Sequence, residues 1–383
     1  MKEELSAVEC FKTRAQVAKL RLIACPGAEE LTNLIDSHLV DWAHQAGMDG
    51  VDTFVIPSVC PRFQSGDAKG LVLKSVRGDD IFIVCDPSNY NVTYNLFGYE
   101  NHLSPDDHFA NLKRLIQAVA GKAARVSVIM PSLYGGRQHR RVARESLDCA
   151  VALQELQAMG VSNIVTVDAH DPRLQNAVPL MSFDNLMPTY QVFKTLLRHM
   201  PDLDMSKESF MVVSPDEGAM DRNMYYSSVL GCNLGMFYKR RDYTRVVNGR
   251  NPIVAHEYLG EDLAGKTVFI ADDIIASGES MIEVASDLKE RGAARIITNA
   301  TFPLFTGGLS KFDEAYQNGT ISAVLGSNLT YRTPELLSRE WYYDVDVSKY
   351  LSYVIVALNH NQSITSMIDP IKKIQTLLEQ HHK

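Results

Sequence analysis

Short apolar runs rich in β-branched residues recur along this chain, and they constrain its fold more than any other feature. They occupy residues 81–85, 126–130, 164–167, 210–213, 268–270 and 296–298. Runs this short, with no polar alternation, suit strands buried inside a sheet. Helical stripes lie between several of them. Phe109, Leu112, Ile116 and Val119 form one, Cys149, Ala152, Leu156 and Met159 a second, and Met281, Val284, Ala285 and Leu288 a third, all at spacings of three and four. Strands and helices in alternation predict βαβ units and mainly parallel sheets.

At 383 residues the chain is long enough for two or three domains. No proline- or serine-rich linker, low-complexity tract or internal repeat marks a boundary. A net charge of -8, from 38 Lys+Arg against 46 Asp+Glu, gives no global attraction to nucleic acid. No stretch approaches the ~18 apolar residues of a membrane span. The six cysteines are scattered without a CxxC pair, which fits neither a zinc ribbon nor a secreted disulfide scaffold. A cytoplasmic protein without nucleic-acid or membrane partners is the expectation. The polar, basic segment 238–263, containing KRRDYTRVVNGRNP, shows little strand or helix pattern. It reads equally as a solvated connection or as a mobile anion-binding loop.

The most informative local string is Lys266-Thr-Val-Phe-Ile-Ala-Asp272-Asp273-Ile-Ile-Ala-Ser277-Gly278-Glu279-Ser280. A buried strand runs into two acids, and a turn of small residues then opens a helix. Amides at a helix N-terminus, with nearby hydroxyls, suit a phosphate. The paired acids suit ribose hydroxyls, met directly or through a divalent cation. The plainer alternative is a capped helix with two solvated acids.

This string resembles the phosphoribosyl pyrophosphate signature of the type I phosphoribosyltransferase fold. Further segments, in order, resemble the ribose-phosphate pyrophosphokinase family. Tyr134-Gly-Gly-Arg137-Gln138-His139-Arg140-Arg141 is similar to its ATP-site segment, with His139 where the family usually has an acid. Taken alone, such an arginine run is more often a solvated or subunit-facing patch. Thr166-Val167-Asp168-Ala169-His170 and Ser214-Pro215-Asp216-Glu217-Gly218-Ala219 resemble its metal-binding histidine and pyrophosphate loop, with Ala219 replacing a glycine. Phe237-Tyr238-Lys239-Arg240-Arg241 resembles its catalytic flexible loop. Arg62-Phe63-Gln64-Ser65-Gly66-Asp67 resembles its ATP loop, with Ser65 replacing an acid; in the family that loop reaches the adenosine of a neighbouring subunit. Asn359-His-Asn-Gln-Ser363 matches a family ending, and the resemblance covers about residues 106 to 370.

The resemblance implies an α/β protein of two tandem type I phosphoribosyltransferase-like domains, 1–181 on the ATP side and 182–365 on the ribose 5-phosphate side. The active site would lie between them. A C-terminal helix in 366–383 would pack back on the first domain. ATP would meet Phe63, Asp67, Arg137, Gln138 and His170, and Mg2+ would be held by His170 and Asp216. Asp272, Asp273, Ser277, Gly278 and Ser280 would bind ribose 5-phosphate, and Asp216, Glu217 and Gly218 the pyrophosphate. Lys239 and Arg241 would be catalytic. A homo-oligomer, dimer-based and up to a hexamer, goes with the family. Two rivals remain: a non-catalytic homologue that regulates a true synthase, suggested by Ser65, His139, Ala219 and Glu279, and a simple phosphoribosyltransferase. Glu279 stands out among the departures, because it puts a carboxylate in the turn meant for a phosphate.

Overall fold

A computed structural model describes residues 6–241 and 253–381. The chain first runs through α1 (Ala7–Thr13), β1 (Lys19–Ala24), α2 (Glu29–Gln45), the short β2 (Ser58–Val59) and β3 (Leu71–Val72), and β4 (Asp79–Val84). A hairpin of β5 (Thr93–Leu96) and β6 (Tyr99–His102) follows, then α3 (Pro105–Val119), β7 (Arg125–Ile129), α4 (Asp148–Ala158), β8 (Asn163–Val167) and β9 (Ser182–Leu186). Next come α5 (Thr189–His199), β10 (Phe210–Ser214), α6 (Met220–Leu230), β11 (Asn233–Arg241), β12 (Ile253–Leu259), β13 (Thr267–Ile275) and α7 (Glu279–Glu290). Finally there are β14 (Arg295–Pro303), α8 (Ser310–Gln317), β15 (Ala323–Ser327), α9 (Pro334–Leu337), β16 (Tyr342–Val345), α10 (Ser348–Asn359), α11 (Thr365–Ile368) and α12 (Ile371–His381).

Two compact units result. The first comprises Met1–Pro188, Asn328–Tyr331 and Asp346–Asp369, and the second comprises Thr189–Ser327, Arg332–Val345 and Pro370–Lys383. In the first, five parallel strands are ordered β1-β4-β7-β8-β9. The first unit runs on to Pro188 instead of stopping at 181, because β9 pairs with β8 along its whole length, from Ser182 opposite Asn163 to Leu186 opposite Val167. The helical stripes on α3 and α4 are buried in one cluster with Ile81, Ile83, Val126, Val128 and Ile164. Met159, last of its stripe, is only partly buried beside that cluster, because it caps α4.

The second unit has seven strands in the order β12-β11-β10-β13-β14-β15-β16, all parallel neighbours except the antiparallel β11–β12 pair. The chain leaves β10 through α6 toward one edge and leaves β13 through α7 toward the other. The β10–β13 boundary is therefore a topological switch point, where open α/β sheets leave a crevice at the strand C-termini. Met281, Val284, Ala285 and Leu288 of α7 are buried against β13 and β14. The segment that seemed poor in strand pattern supplies strand on both sides: β11 runs to Arg241 and β12 resumes at Ile253, with Met236 opposite Leu259 and Tyr238 opposite Glu257.

The C-terminal segment departs from expectation. The helix that joins the first unit late in the chain is α10, which packs on α2, while α12 lies on α5 and α6 of the second unit. The reason is apolar content. In α10 nine residues are buried, from Ser348 to Asn359, whereas α12 buries Ile374 and ties its end down by the contact of His381 Nε2 with the Leu203 carbonyl, 2.7 Å. Among the described residues, no helix is long and apolar enough to cross a membrane.

Candidate active site

The second unit brings the Asp216 loop, the Asp272–Asp273 pair and the Ser277–Ser280 turn to its switch point. After β10, Ser214 Oγ donates to the Asp216 carbonyl at 2.8 Å, and the Ala219 amide donates to Asp216 Oδ1 at 3.1 Å. The side chain of Asp216 thus shapes its own loop into a tight turn before α6. Ala219 has φ -90 and is 2% exposed, so its methyl is buried and its backbone needs no glycine.

On the neighbouring strand the two acids lie within β13, which continues past them to Ile275 instead of ending there. Strand alternation leaves Asp272 partly exposed and turns Asp273 inward, at 5% exposure. Arg222, from the first turns of α6, reaches both: Nη1 is 3.4 Å from Asp272 Oδ1 and Nη2 is 3.8 Å from Asp273 Oδ1. Although about a third of its side chain meets solvent (34%), the protein packed around Asp272, and then the adjacent Asp273 carboxylate, raise its carboxyl above the ordinary carboxylate range, with Arg222 opposing them.

Next to Arg222, the fully buried Asn223 stitches the two loops together. Its Nδ2 donates to the carbonyls of Ala219 and Ala271, each at 2.8 Å, and its Oδ1 accepts from the Ala271 amide at 3.1 Å. Arg222 and Asn223 were both missed in the sequence. An asparagine inside a helix is a weak signal, since it is disfavoured there unless its side chain has a specific partner.

Beyond β13 the turn closes at Gly278, which adopts φ 76 as the residue before α7. No side chain caps the first turn of α7. Ser277, Gly278 and Ser280 therefore surround amides available to an anion. Glu279, instead of occupying them, pairs with Lys311 of α8.

In the first unit, two loops from adjacent strands meet. Arg137, Gln138 and His139 follow β7, and His170 follows β8. The His139 and His170 rings lie 5.3 Å apart edge to face, and His139 Nδ1 is 2.7 Å from Asp171 Oδ2. A double contact with Arg173, whose Nη2 lies 2.6 Å from Asp171 Oδ2, holds the Asp171 carboxyl down to about 2. Asp168, two residues before His170, has φ 47, a left-handed conformation that is costly for a non-glycine residue and recurs at functional sites. Arg137 is exposed. Gln138 is engaged locally: its Nε2 donates to the carbonyls of Arg140 at 3.1 Å and Ser146 at 3.0 Å, so its amide nitrogen braces the loop.

Phe63 and Asp67 lie on the β2–β3 loop, closed by the Phe63 amide donating to the Asp67 carbonyl at 2.7 Å. Phe63 is 52% exposed. This loop is anchored on α3 and the β5–β6 hairpin, through Arg62 with Asp107 at 2.6 Å and Arg62 over the Tyr94 ring at 3.9 Å. Ser65 Oγ donates to Asp67 Oδ2 at 2.9 Å, so the serine orients the remaining acid. Lys239 and Arg241 lie on β11, opposite His256 and Ile253; their side chains, and residues 242–252 of the basic segment, fall outside the described part. His170 belongs to the first unit and Asp216 to the second. Among the described residues no cluster of three or more His, Cys, Asp or Glu forms a metal cage.

A mainly parallel sheet whose acid-bearing strand runs through a glycine-serine turn into a helix at the switch point is the architecture of a phosphoribosyltransferase-type protein, here with a second α/β unit before it. Comparison with known proteins extends this. The family model for the N-terminal domain of ribose phosphate pyrophosphokinase matches residues 20–160, and the model for the phosphoribosyl transferase domain matches 188–311. A ribose-phosphate pyrophosphokinase of Shewanella oneidensis is 28% identical over 317 residues, covering 81% of this chain and 90% of that protein. Its counterpart in Vibrio cholerae is 27% identical, covering 80% and 90%. The crystal structure of phosphoribosylpyrophosphate synthetase from Mycobacterium smegmatis superposes with a TM-score of 0.72 at 21% identity, covering 90% of this chain and 99% of that one. The chain belongs to the ribose-phosphate pyrophosphokinase family.

Proposed function

We propose that the chain transfers the pyrophosphoryl group of ATP to the 1-hydroxyl of ribose 5-phosphate, giving 5-phosphoribosyl 1-pyrophosphate and AMP. The observation that carries this reading is the juxtaposition of two loops at the switch point of the second unit. There the Asp216 loop and the Asp272-to-Ser280 strand and turn leave adjacent parallel strands and are tied together by Asn223 and Arg222. Asp272 and Asp273 accept from ribose hydroxyls, and the amides of Gly278 to Ser280 with the Ser277 and Ser280 hydroxyls take the 5-phosphate. The amides around Glu217 and Gly218 face the pyrophosphate.

Arg137, Phe63, Asp67 and His170 contact ATP, with Gln138 supporting Arg137 through its loop. Lys239 and Arg241 neutralise charge that develops on the transferred group; no side chain is needed as a covalent nucleophile, since positioning and electrostatics suffice.

Mg2+ fits the donors. It prefers oxygen, keeps several waters, and is held by one or two carboxylates plus substrate phosphates instead of an all-protein cage. Asp216 would be such a carboxylate, and His170, a nitrogen donor outside that preference, would be the second protein group on the family resemblance alone. When bound, the ion would neutralise phosphate charge. A dimer-based homo-oligomer accompanies this reading.

The four departures from the family pattern are accommodated individually: Ala219 by its negative φ, Ser65 by its bond to Asp67, His139 by its contact with Asp171, and Glu279 by Lys311. This favours the enzyme over a purely regulatory homologue. The test is AMP release from ATP, Mg2+ and ribose 5-phosphate by purified protein, omitting each component in turn and identifying the product by mass. Lys239→Ala is expected to lower kcat by about a thousandfold while the circular dichroism and melting curve stay those of the wild type. Folded wild-type protein that forms no phosphoribosyl pyrophosphate across nucleotides and metals would transfer the assignment to the regulatory reading.

A further inference from the structure

Glu279 is the first residue of α7, at the end where four amides lack helical partners. A carboxylate in this position ordinarily interacts favourably with those amides. It is therefore the natural competitor of any phosphate bound to the turn, and it would repel a phosphate dianion placed beside it. The structure turns it elsewhere: Glu279 Oε1 pairs with Lys311 Nζ, their side chains being 58% and 53% exposed.

An exposed ion pair holds its partners weakly on its own. Here packing has already placed the cation. Phe312, the neighbour of Lys311, is fully buried and lies against Gly278 so closely that any β-carbon there would clash with its ring. Gly307, on the loop leading to α8, lies against Ser277, with its β-carbon direction 3.2 Å from the Ser277 Cα. The start of α8 is thus docked on the turn by the buried Phe312 ring and by the close approach of Gly307 to Ser277, and Lys311 rides on it.

We infer that Lys311 is a positioning residue for ribose 5-phosphate, acting through Glu279: it draws that carboxylate off the amino end of α7 and cancels its charge, leaving the turn amides to the 5-phosphate. The inference rests on residues 277–280 being the ribose 5-phosphate loop. One uncompensated charge a few ångströms from a dianion in a largely aqueous setting changes binding by about tenfold.

The experiment measures kcat and the KM values for ribose 5-phosphate and ATP in wild type, Lys311→Met, Lys311→Arg, Glu279→Gln and the Lys311→Met/Glu279→Gln double variant. Lys311→Met is expected to raise KM for ribose 5-phosphate about tenfold at low ionic strength and less at about 0.3 M salt, where screening shortens the repulsion. KM for ATP should hold within about twofold. Lys311→Arg should keep wild-type saturation, and the double variant should return to within about twofold of wild type. An unchanged KM in Lys311→Met overturns the inference, and so does a double variant as impaired as Lys311→Met, which would make Lys311 a direct or structural contact. Wild-type protein that saturates with ribose 5-phosphate neither in turnover nor in calorimetric titration overturns the loop assignment and this inference with it. Saturation of wild type and Lys311→Met at the same concentration removes the inference alone.

Discussion

At the residue scale, the acid pair shows how a site stores unfavourable electrostatics. Asp272 has its carboxyl raised by burial and by Asp273, and Arg222 compensates only in part, at 3.4 and 3.8 Å. A carboxyl whose pKa rises on folding binds its proton more tightly in the folded state, so stability falls as pH climbs above the ordinary carboxylate value near 4. Asp273→Asn removes one charge of the pair. It is expected to raise the melting temperature by about 1 to 2 °C above pH 6, a gain that disappears as pH approaches 4, while raising KM for ribose 5-phosphate more than tenfold. Melting curves against pH, with steady-state kinetics, check both halves; a variant less stable at pH 7 would remove the repulsion argument. The acids, Ser277 and Ser280 were legible in the sequence because charge and small side chains concentrate in one string. Arg222 and Asn223 were not, because what gives them meaning is a partner about fifty positions away across the sheet.

Elements impose their own constraints. The turn from β13 into α7 depends on Gly278, which combines φ 76 with close packing against Phe312. Gly278→Ala therefore meets both a strained backbone and a steric clash, and the expected result is a destabilisation of about 1 to 3 kcal/mol together with a loss of ribose 5-phosphate saturation. Urea denaturation and KM measure these; wild-type values in both would show that the turn is not needed in this shape. The three helical stripes foretold by spacing are buried almost residue for residue, since a helix face is a local property of the chain. The β11–β12 arm escaped the same reading. Its strands lie at a sheet edge next to a basic stretch, so no run of apolar residues announces them.

On the scale of the whole molecule, α10 closes the first unit far from its start in sequence. Fully buried Asp80 receives Arg125 through two bonds, Nε at 2.8 Å and Nη2 at 2.6 Å, and Asn359 Nδ2 at 2.8 Å. Arg125 also donates to the Leu358 carbonyl at 2.9 Å. The asparagine that opens the family-like ending is thus a structural clamp. Arg125→Met would leave a buried carboxylate uncompensated and is expected to destabilise by about 3 to 5 kcal/mol, and Asn359→Ala by about 1 to 3 kcal/mol. Any folded fraction should keep its substrate KM values, because the clamp sits at the amino end of β4 and the candidate ATP groups follow the carboxyl ends of their strands. Calorimetry and kinetics on the two variants test this; a KM shift without loss of stability would contradict it.

The sequence by itself determined what depends on neighbours along the chain: strands from apolar runs, helix faces from spacing, and the candidate loops from small and charged residues in fixed order. Tertiary structure alone decided the pairings between distant segments: Asn223 with Ala271, His139 with His170 and Asp171, Lys311 with Glu279, and α10 rather than α12 in the first unit. The physical reason is that burial and charge compensation are set by what the folded chain brings within a few ångströms, and nothing in local composition encodes that distance.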